Sequence, residues 1–397
     1  MPTLRISRLP GCDHTDLTPL DRALEAFMLE RDIPGGALAV SRMGRLIAAC
    51  GYTLREDPTG PISPTSLFRI ASVSKPLTAA AVLQLVDKGK LDLEDSAYEI
   101  LGLYAPGVSS PERDPRRITL LHLLQHQAGW DRSVSFDPLS IDRAVAGRFG
   151  KDLPIAREDI VAFVTERPLD FEPGGRYAYS NYGYLLLGLV VEKVTGRDFA
   201  GFVKGRILKP LGIASPRMGR TLPEHRAEGE VTYHSSNPNV FGNVMLAAGG
   251  NDAHVAYGGY NLENMVSSGA WIASPVDLVG FACAFDSAGE CPLFGEALVR
   301  TMFAPPAANR WSDDSYYACG WVVRESPAGT EASHSGCLQG VTSSLRRRPD
   351  GINFCALFNR REETSPYSWD ADAAINSAID EIGGRWPDVD LFPASRL

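Results

Sequence analysis

Phe68-Arg69-Ile70-Ala71-Ser72-Val73-Ser74-Lys75 stands at the head of an Ala/Leu-rich run from Leu77 to Asp87, which reads as a helix. A Ser and a Lys three residues apart at a helix start lie on one face, within reach of one another. A serine hydroxyl is a poor nucleophile unless a base sits beside it, and a lysine among apolar residues can lose its proton and supply that base. The helix N-terminus also presents free N–H groups and a positive dipole end to a developing oxyanion. This is the only Ser-x-x-Lys in the chain, and the chain holds 7 lysines against 32 arginines. The competing reading makes Ser72 a helix cap and Lys75 a solvated first-turn residue.

Two further elements fit a nucleophile at Ser72. Tyr179-Ser180-Asn181 follows Glu172-Pro173-Gly174-Gly175 and precedes an apolar helix. A tyrosine held there can act as general base if a nearby cation lowers its pKa. Asn181 can orient the lysine or a substrate carbonyl. Against this, Tyr177, Tyr179, Tyr182 and Tyr184 could form an aromatic packing stripe. The other element, His334-Ser335-Gly336-Cys337, falls in an expected strand. A glycine inside a strand lets a ligand or another backbone approach closely, and the N–H just after it suits an oxyanion donor beside that of Ser72.

Working outward, Thr18-Pro19-Leu20-Asp21 starts a helix, with Thr18 as its cap, that runs to about Leu29. Gly36–Ser41 and Leu46–Leu54 read as a hairpin. Ala318–Val323, His334–Leu345 and Ile352–Phe358 read as strands, the last two joined by Pro349-Asp350-Gly351. Thr119–Gln125, Tyr182–Val194 and Trp369–Ile382 read as helices. Strands at both ends, with a mostly helical stretch between, imply an α+β arrangement: one sheet assembled from residues 1–95 and 312–397, with a mainly helical domain inserted at 96–311. Residues 215–265, rich in Gly, Asn and Ser, are expected to be long surface loops bordering the site.

Composition narrows the class. The chain has 397 residues, 44% hydrophobic and 22% charged, the balance of a soluble globular protein. A formal net charge of -9 leaves no basic excess for nucleic acid. The longest apolar runs, Leu77–Val86 and Tyr182–Val191, hold about ten residues each, short of the ~20 of a membrane span. The first residues lack an apolar segment of signal-peptide length. The seven cysteines are scattered and never spaced as CxxC, so they read as reduced thiols in a cytoplasmic protein. The C-terminal Ser395-Arg396-Leu397 resembles a peroxisomal address.

The order and separation of Ser72-Val73-Ser74-Lys75, Tyr179-Ser180-Asn181 and His334-Ser335-Gly336 resemble the serine β-lactamase-like superfamily. Within it, the chain is most similar to the class C β-lactamase, D-alanyl-D-alanine peptidase and family VIII carboxylesterase group. Thr119–Gly129 resembles that group's LLxHxSG segment, Phe171–Gly196 its PGxxxxYSN-to-helix segment, and Gly269–Leu278 its G-x-x-x-S-x-x-D-L segment. The resemblance implies a β-lactamase/penicillin-binding-protein-like fold with the site between the sheet and the helical domain. It also implies roles: Ser72 as acyl-accepting nucleophile, Lys75 and Tyr179 as proton-transfer pair, and Asn181 as polar positioner. The N–H groups of Ser72 and Cys337 would form the oxyanion hole, and Tyr179 would activate water to release the acyl group. The β-lactamases of the group carry Lys-Thr-Gly where this chain has His334-Ser335-Gly336. A mostly neutral His offers less to an anion. His-x-Gly resembles the esterase, peptidase and amidase branches, so the expectation is a serine hydrolase acting through an acyl-enzyme on a small carboxylic ester, with a small-molecule ester or amide as substrate and no cofactor, no metal, no nucleic acid and no membrane.

Rival chemistries are weaker. The chain has no Gly-x-Ser-x-Gly elbow. Cys337 and His334, i and i+3 in a strand, point to opposite faces. His122 and His126, i and i+4 on a helix, could be half a metal site, without a matching HExxH glutamate. Ser235-Ser236-Asn237 imitates a Ser-x-Asn element in a polar run. A β-lactamase, a D-amino-acid peptidase or amidase, and a non-catalytic binding descendant are the alternatives; the sequence leaves oligomeric state open.

Overall fold

The computed structural model describes residues 4–55, 60–103, 110–235, 240–247, 252–307, 310–312, 314–362 and 367–392. Strands from both chain ends form one eight-stranded antiparallel sheet. β1 (Arg5–Arg8), β2 (Gly35–Arg42) and β3 (Arg45–Thr53) come from the first part of the chain. β4 (Ser315–Tyr317), β5 (Val322–Ser326), β6 (Gly329–Leu338), β7 (Val341–Arg347) and β8 (Ile352–Phe358) come from the last. Their order is β1-β3-β2-β8-β7-β6-β5-β4, and the two ends meet where β8 pairs with β2, Cys355 opposite Ala39.

The sequence makes a sheet covered on both faces. β8 is apolar almost throughout and wholly buried, and β2 is buried but for its last residue. Successive side chains alternate: Leu38 and Val40 face α1 (Thr18–Glu30) and α5 (Ser368–Ile382), which supply Leu24, Phe27, Ile375 and Ile379. Ala37 and Ala39 face the other way, into a core shared with α2 (Ser74–Asp87) and α4 (Asn181–Thr195). Each fully buried Leu, Ile or Phe contributes roughly 1.5–3 kcal/mol. α2 is buried on every side from Ser74 to Leu85, as its Ala/Leu composition allows, and so forms a rigid central post.

Several local expectations need correction. Ala318–Trp321 is the turn between β4 and β5, not a strand. Gly320, at φ 80°, sits there against α2, and a Cβ on it would meet Ala79 Cβ at 2.9 Å. His334–Leu345 is two strands broken at Gln339-Gly340, with Leu338 paired to Val341; apolar residues on either side hid the turn. Thr18 does not cap α1: Thr15–Leu17 already form a 3-10 turn leading into the helix, and Thr18 Oγ1 donates to Thr15 O (2.6 Å). β1 carried no legible pattern in four residues.

The expectation of surface loops over 215–265 holds only in part among the described residues, where Pro223–His225, Glu228 and Gly229 are exposed. Thr221, Glu230, Val231, Tyr233, Tyr260 and Leu262 are buried, and of this stretch Met265 lines the main cleft. Residues 236–239 and 248–251, with most of the Ser-x-Asn imitation, and the terminal Ser-Arg-Leu lie outside the described residues. All seven cysteines are free; the closest approach described, Cys12 Sγ to Cys50 Sγ, is 3.9 Å. Among the described residues no helix is long and apolar enough to cross a membrane.

Candidate active site

The two walls of the site are strand β6 and a helix start, and Gly336 lets them touch. A Cβ on Gly336 would lie 2.3 Å from Ile70 O and 2.2 Å from Ser343 Oγ, so only glycine admits the Ile70–Ala71 backbone against β6. Ser343 Oγ donates to Ile70 O (2.8 Å), and Ile70 N donates to Trp271 O (3.0 Å). Ala71, clamped this way, adopts φ 47°, a left-handed conformation that an alanine holds only when its surroundings impose it. Ser72 follows in the 3-10 turn Ala71–Val73 that leads into α2.

Beneath this backbone Arg69 acts as a hub. It is buried with Glu230 (3.7 Å, each 1% exposed), and donates to Ala256 O, Tyr260 Oη, Arg220 O and Thr221 O. Its guanidinium lies 4.4 Å from the Tyr233 ring centroid. This explains why Thr221, Glu230, Tyr233, Ala256 and Tyr260 lie in the interior although the sequence around them is polar.

Lys75 is completely buried, and its Nζ lies 3.2 Å from Ser72 Oγ. It also donates to Asn181 Oδ1 (2.8 Å) and Ser268 O (2.9 Å). Burial, helped by the positive charge of Arg132 and opposed by Asp137, brings its pKa down to about 7. The geometry assigns the neutral amine's lone pair. Asn181 Oδ1 and Ser268 O can only accept, so they take both N–H bonds and leave the lone pair facing the Ser72 hydroxyl. The solvated-lysine reading therefore fails.

Tyr179 Oη lies 2.8 Å from Ser72 Oγ, and its ring is 4.8 Å from Lys75 Nζ. A lowered Tyr179 pKa does not follow from this arrangement. Burial dominates and pushes it up, although the Ser72 hydrogen bond and Arg132 pull the other way. Tyr179 is thus a phenol that donates to Ser72 Oγ at neutral pH. Asn181, the first residue of α4, donates from Nδ2 to Asp137 Oδ2 (2.6 Å), which fixes its amide orientation.

His334 is buried and faces the same cleft. Its Nδ1–H donates to Ser335 O (2.8 Å), so Nε2 accepts from Tyr317 Oη (2.9 Å). Burial, and then the nearby Lys75, hold its pKa at about 3, so it is neutral under ordinary conditions. Cys337 lines the cleft beside Ser72, Tyr179, Asn181 and His334, within a cavity of about 660 Å³. The sequence-derived residues Ser72, Lys75, Tyr179, Asn181, His334, Gly336 and Cys337 thus come together.

Sequence reasoning missed four groups. Ser268 contributes a backbone carbonyl, which no side-chain pattern reveals. Asp137 and Arg132 come from the irregular segment after α3 (Leu120–Leu124), where no period applies. The i, i+4 spacing of His122 and His126 predicts one helix for both, but α3 ends at Leu124 and His126 lies beyond it at φ 56°. His122 instead closes a capping box with Thr119, while His126 clamps the Tyr179 segment. His126 O accepts from Ala178 N (2.8 Å) and its Nδ1 from Ser180 N (3.2 Å), with the Tyr179 ring 4.2 Å away. Of the four tyrosines, Tyr182 and Tyr184 are core residues, and Tyr177 is partly exposed and lines the cleft.

Comparisons with known proteins agree with this architecture. A profile of the Beta-lactamase family matches residues 20–377. Penicillin-binding protein 4* of Bacillus subtilis is 28% identical over 344 residues, covering 85% of this chain and 69% of its own length. Esterase EstB of Burkholderia gladioli is 31% identical over 227 residues, or 55% of each chain. The octameric penicillin-binding protein homologue from Pyrococcus abyssi matches in structure with a TM-score of 0.72 at 22% identity, covering 92% of this chain and 78% of its own. The D-amino acid amidase from Ochrobactrum anthropi SV3 matches with a TM-score of 0.70 at 20% identity, covering 92% of this chain and 99% of its own. At those identities the structural matches speak to the fold. With the family profile spanning nearly the whole sequence, the chain belongs to the β-lactamase family, within the serine β-lactamase-like superfamily of hydrolases.

Proposed function

We propose that this chain is a serine hydrolase that forms an acyl-enzyme on Ser72 and acts on small carboxylic esters. The observation that carries the reading is the buried Lys75 amine, whose two acceptors leave its lone pair on the Ser72 hydroxyl. Lys75 takes the Ser72 proton as Oγ attacks the acyl carbon. The developing oxyanion is received by the N–H groups of Ser72 and Cys337. Tyr179 gives its proton to the departing oxygen and recovers one from Lys75, so both groups end as they began. Water then enters by the reverse route: Tyr179 and Lys75 relay its proton, and Ser72 Oγ leaves the acyl group with a proton restored.

Esters are favoured over β-lactams because the β6 wall presents a neutral His334, so an anionic ring substituent lying along that wall would meet no charge there. The similarity to an esterase over about half of each chain supports the same choice. The test is steady-state turnover of p-nitrophenyl butyrate, a D-amino-acid amide and nitrocefin by wild type and Ser72→Ala. Ester hydrolysis that vanishes in Ser72→Ala is expected. Fast nitrocefin turnover with negligible ester turnover would replace this reading with a β-lactamase, and dominant amide turnover with an amidase.

A further inference from the structure

We propose that Arg132 makes the cleft selective for substrates bearing a carboxylate, an inference that rests on the hydrolase reading above. Arg132 is exposed, lines the cleft with Ser72 and Tyr179, and holds its guanidinium carbon 5.1 Å from the Tyr179 ring centroid. Among the described residues it has no ion-pair or hydrogen-bond partner. Its guanidinium is permanently charged, and its fork of N–H donors matches a carboxylate in a bidentate pair.

The loop around it is built to present it. Asp131 N donates to Asp170 Oδ2 (2.7 Å). The Asp131 carboxylate receives Ser133 N (2.8 Å) and Ser133 Oγ (2.6 Å) on one oxygen and Arg176 on the other. The neighbouring acid is thereby engaged away from Arg132, and the main chain is fixed on both sides of it. The remaining charges of the cleft are also committed. Asp137 holds the Asn181 amide, and Lys75 is enclosed by Ser72, Asn181 and Ser268. On the opposite wall His334 is neutral and occupied by Tyr317 and Ser335. The β6 wall thus offers an anion no charge, and the cation that can receive one stands on the helical wall.

The test compares esters matched except for a carboxylate. One pair is p-nitrophenyl hexanoate with mono-p-nitrophenyl adipate, which places the anion on the acyl side. The other is p-nitrophenyl butyrate with its carboxy-substituted p-nitrophenyl analogue, which places it on the leaving group. The readout is the ratio of kcat/KM, anionic over neutral, because any effect of Arg132 on Lys75 acts on both members and cancels. For at least one pair the ratio should exceed one in wild type and fall roughly 10- to 100-fold in Arg132→Gln, with part recovered in Arg132→Lys. A ratio that Arg132→Gln leaves within about twofold for both pairs overturns the proposal. Binding to Ser72→Ala, with and without Arg132→Gln, of the anionic ester from whichever pair responds reads the same contact without turnover. Equal affinity there overturns it as well, whereas failure of wild type to hydrolyse any of the four esters sinks the hydrolase reading instead.

Discussion

Replacing Gly336 by Ala should displace the nucleophile without touching any reacting group. The added Cβ would sit 2.3 Å from Ile70 O and 2.2 Å from Ser343 Oγ, where ordinary contact begins near 3.4 Å. Neither neighbour is a flexible tip: Ile70 O is main chain two residues before Ser72, and Ser343 Oγ is already bonded to it. The Ile70–Ala71 backbone must therefore withdraw from β6 by about 1 Å, and a misplacement of that size costs on the order of 10²-fold in rate. Overpacking of this kind also removes about 1–3 kcal/mol of stability. The assay is kcat/KM for p-nitrophenyl butyrate, with the rate of fluorophosphonate labelling, well below the melting temperature of each variant. Ser343→Ala separates the contributions: alone it loses one hydrogen bond, about 1 kcal/mol, and in the Gly336→Ala background it leaves the clash with Ile70 O in place. A Gly336→Ala enzyme within about twofold of wild type in rate, with an unchanged melting temperature, would refute the claim that this contact positions Ser72.

The pH dependence follows from Lys75. Protonated Lys75 cannot accept the Ser72 proton, so kcat/KM should rise through an apparent pKa of about 7 and level off above it. Because the Asp137 carboxylate favours the charged amine, Asp137→Asn should move that limb to lower pH; an upward or absent move in the pH–rate profile contradicts the assignment. The unfolded chain, with an ordinary lysine, binds a proton that the folded chain lacks between about pH 7 and 10.5, so the Lys75 contribution to stability rises with pH across that window. Arg69→Met strands Glu230 in the interior and should cost about 3–5 kcal/mol in denaturant unfolding, with faster proteolysis within 220–260. An unfolding midpoint unchanged by Arg69→Met would remove Arg69 as the hub of that segment.

Much of the chemistry was legible because it is carried by side chains at fixed local spacing. Ser72 and Lys75 are three apart at a helix start, and Tyr179 and Asn181 bracket the cap residue Ser180. The union of both chain ends in one sheet followed from apolar segments that alternate or run fully buried. What stayed hidden depends on contacts with no local signature. The buried environment that lowers the Lys75 pKa comes from α2 being enclosed on all sides. Arg69 looked like one more charged residue, yet it gathers Glu230, Tyr233 and Tyr260 around its guanidinium in the interior. Gly336 read as a site where something approaches, and the visitor is the chain's own Ile70–Ala71 backbone.

The most direct measurement is the mass and position of a covalent adduct. After incubation with a fluorophosphonate at pH 8, intact-mass analysis and peptide mapping should place one phosphonyl group on Ser72. The adduct should be absent in Ser72→Ala and should form far more slowly in Lys75→Met. Wild type that gains no mass, or an adduct that persists in Ser72→Ala, would contradict Ser72 as the nucleophile activated by Lys75.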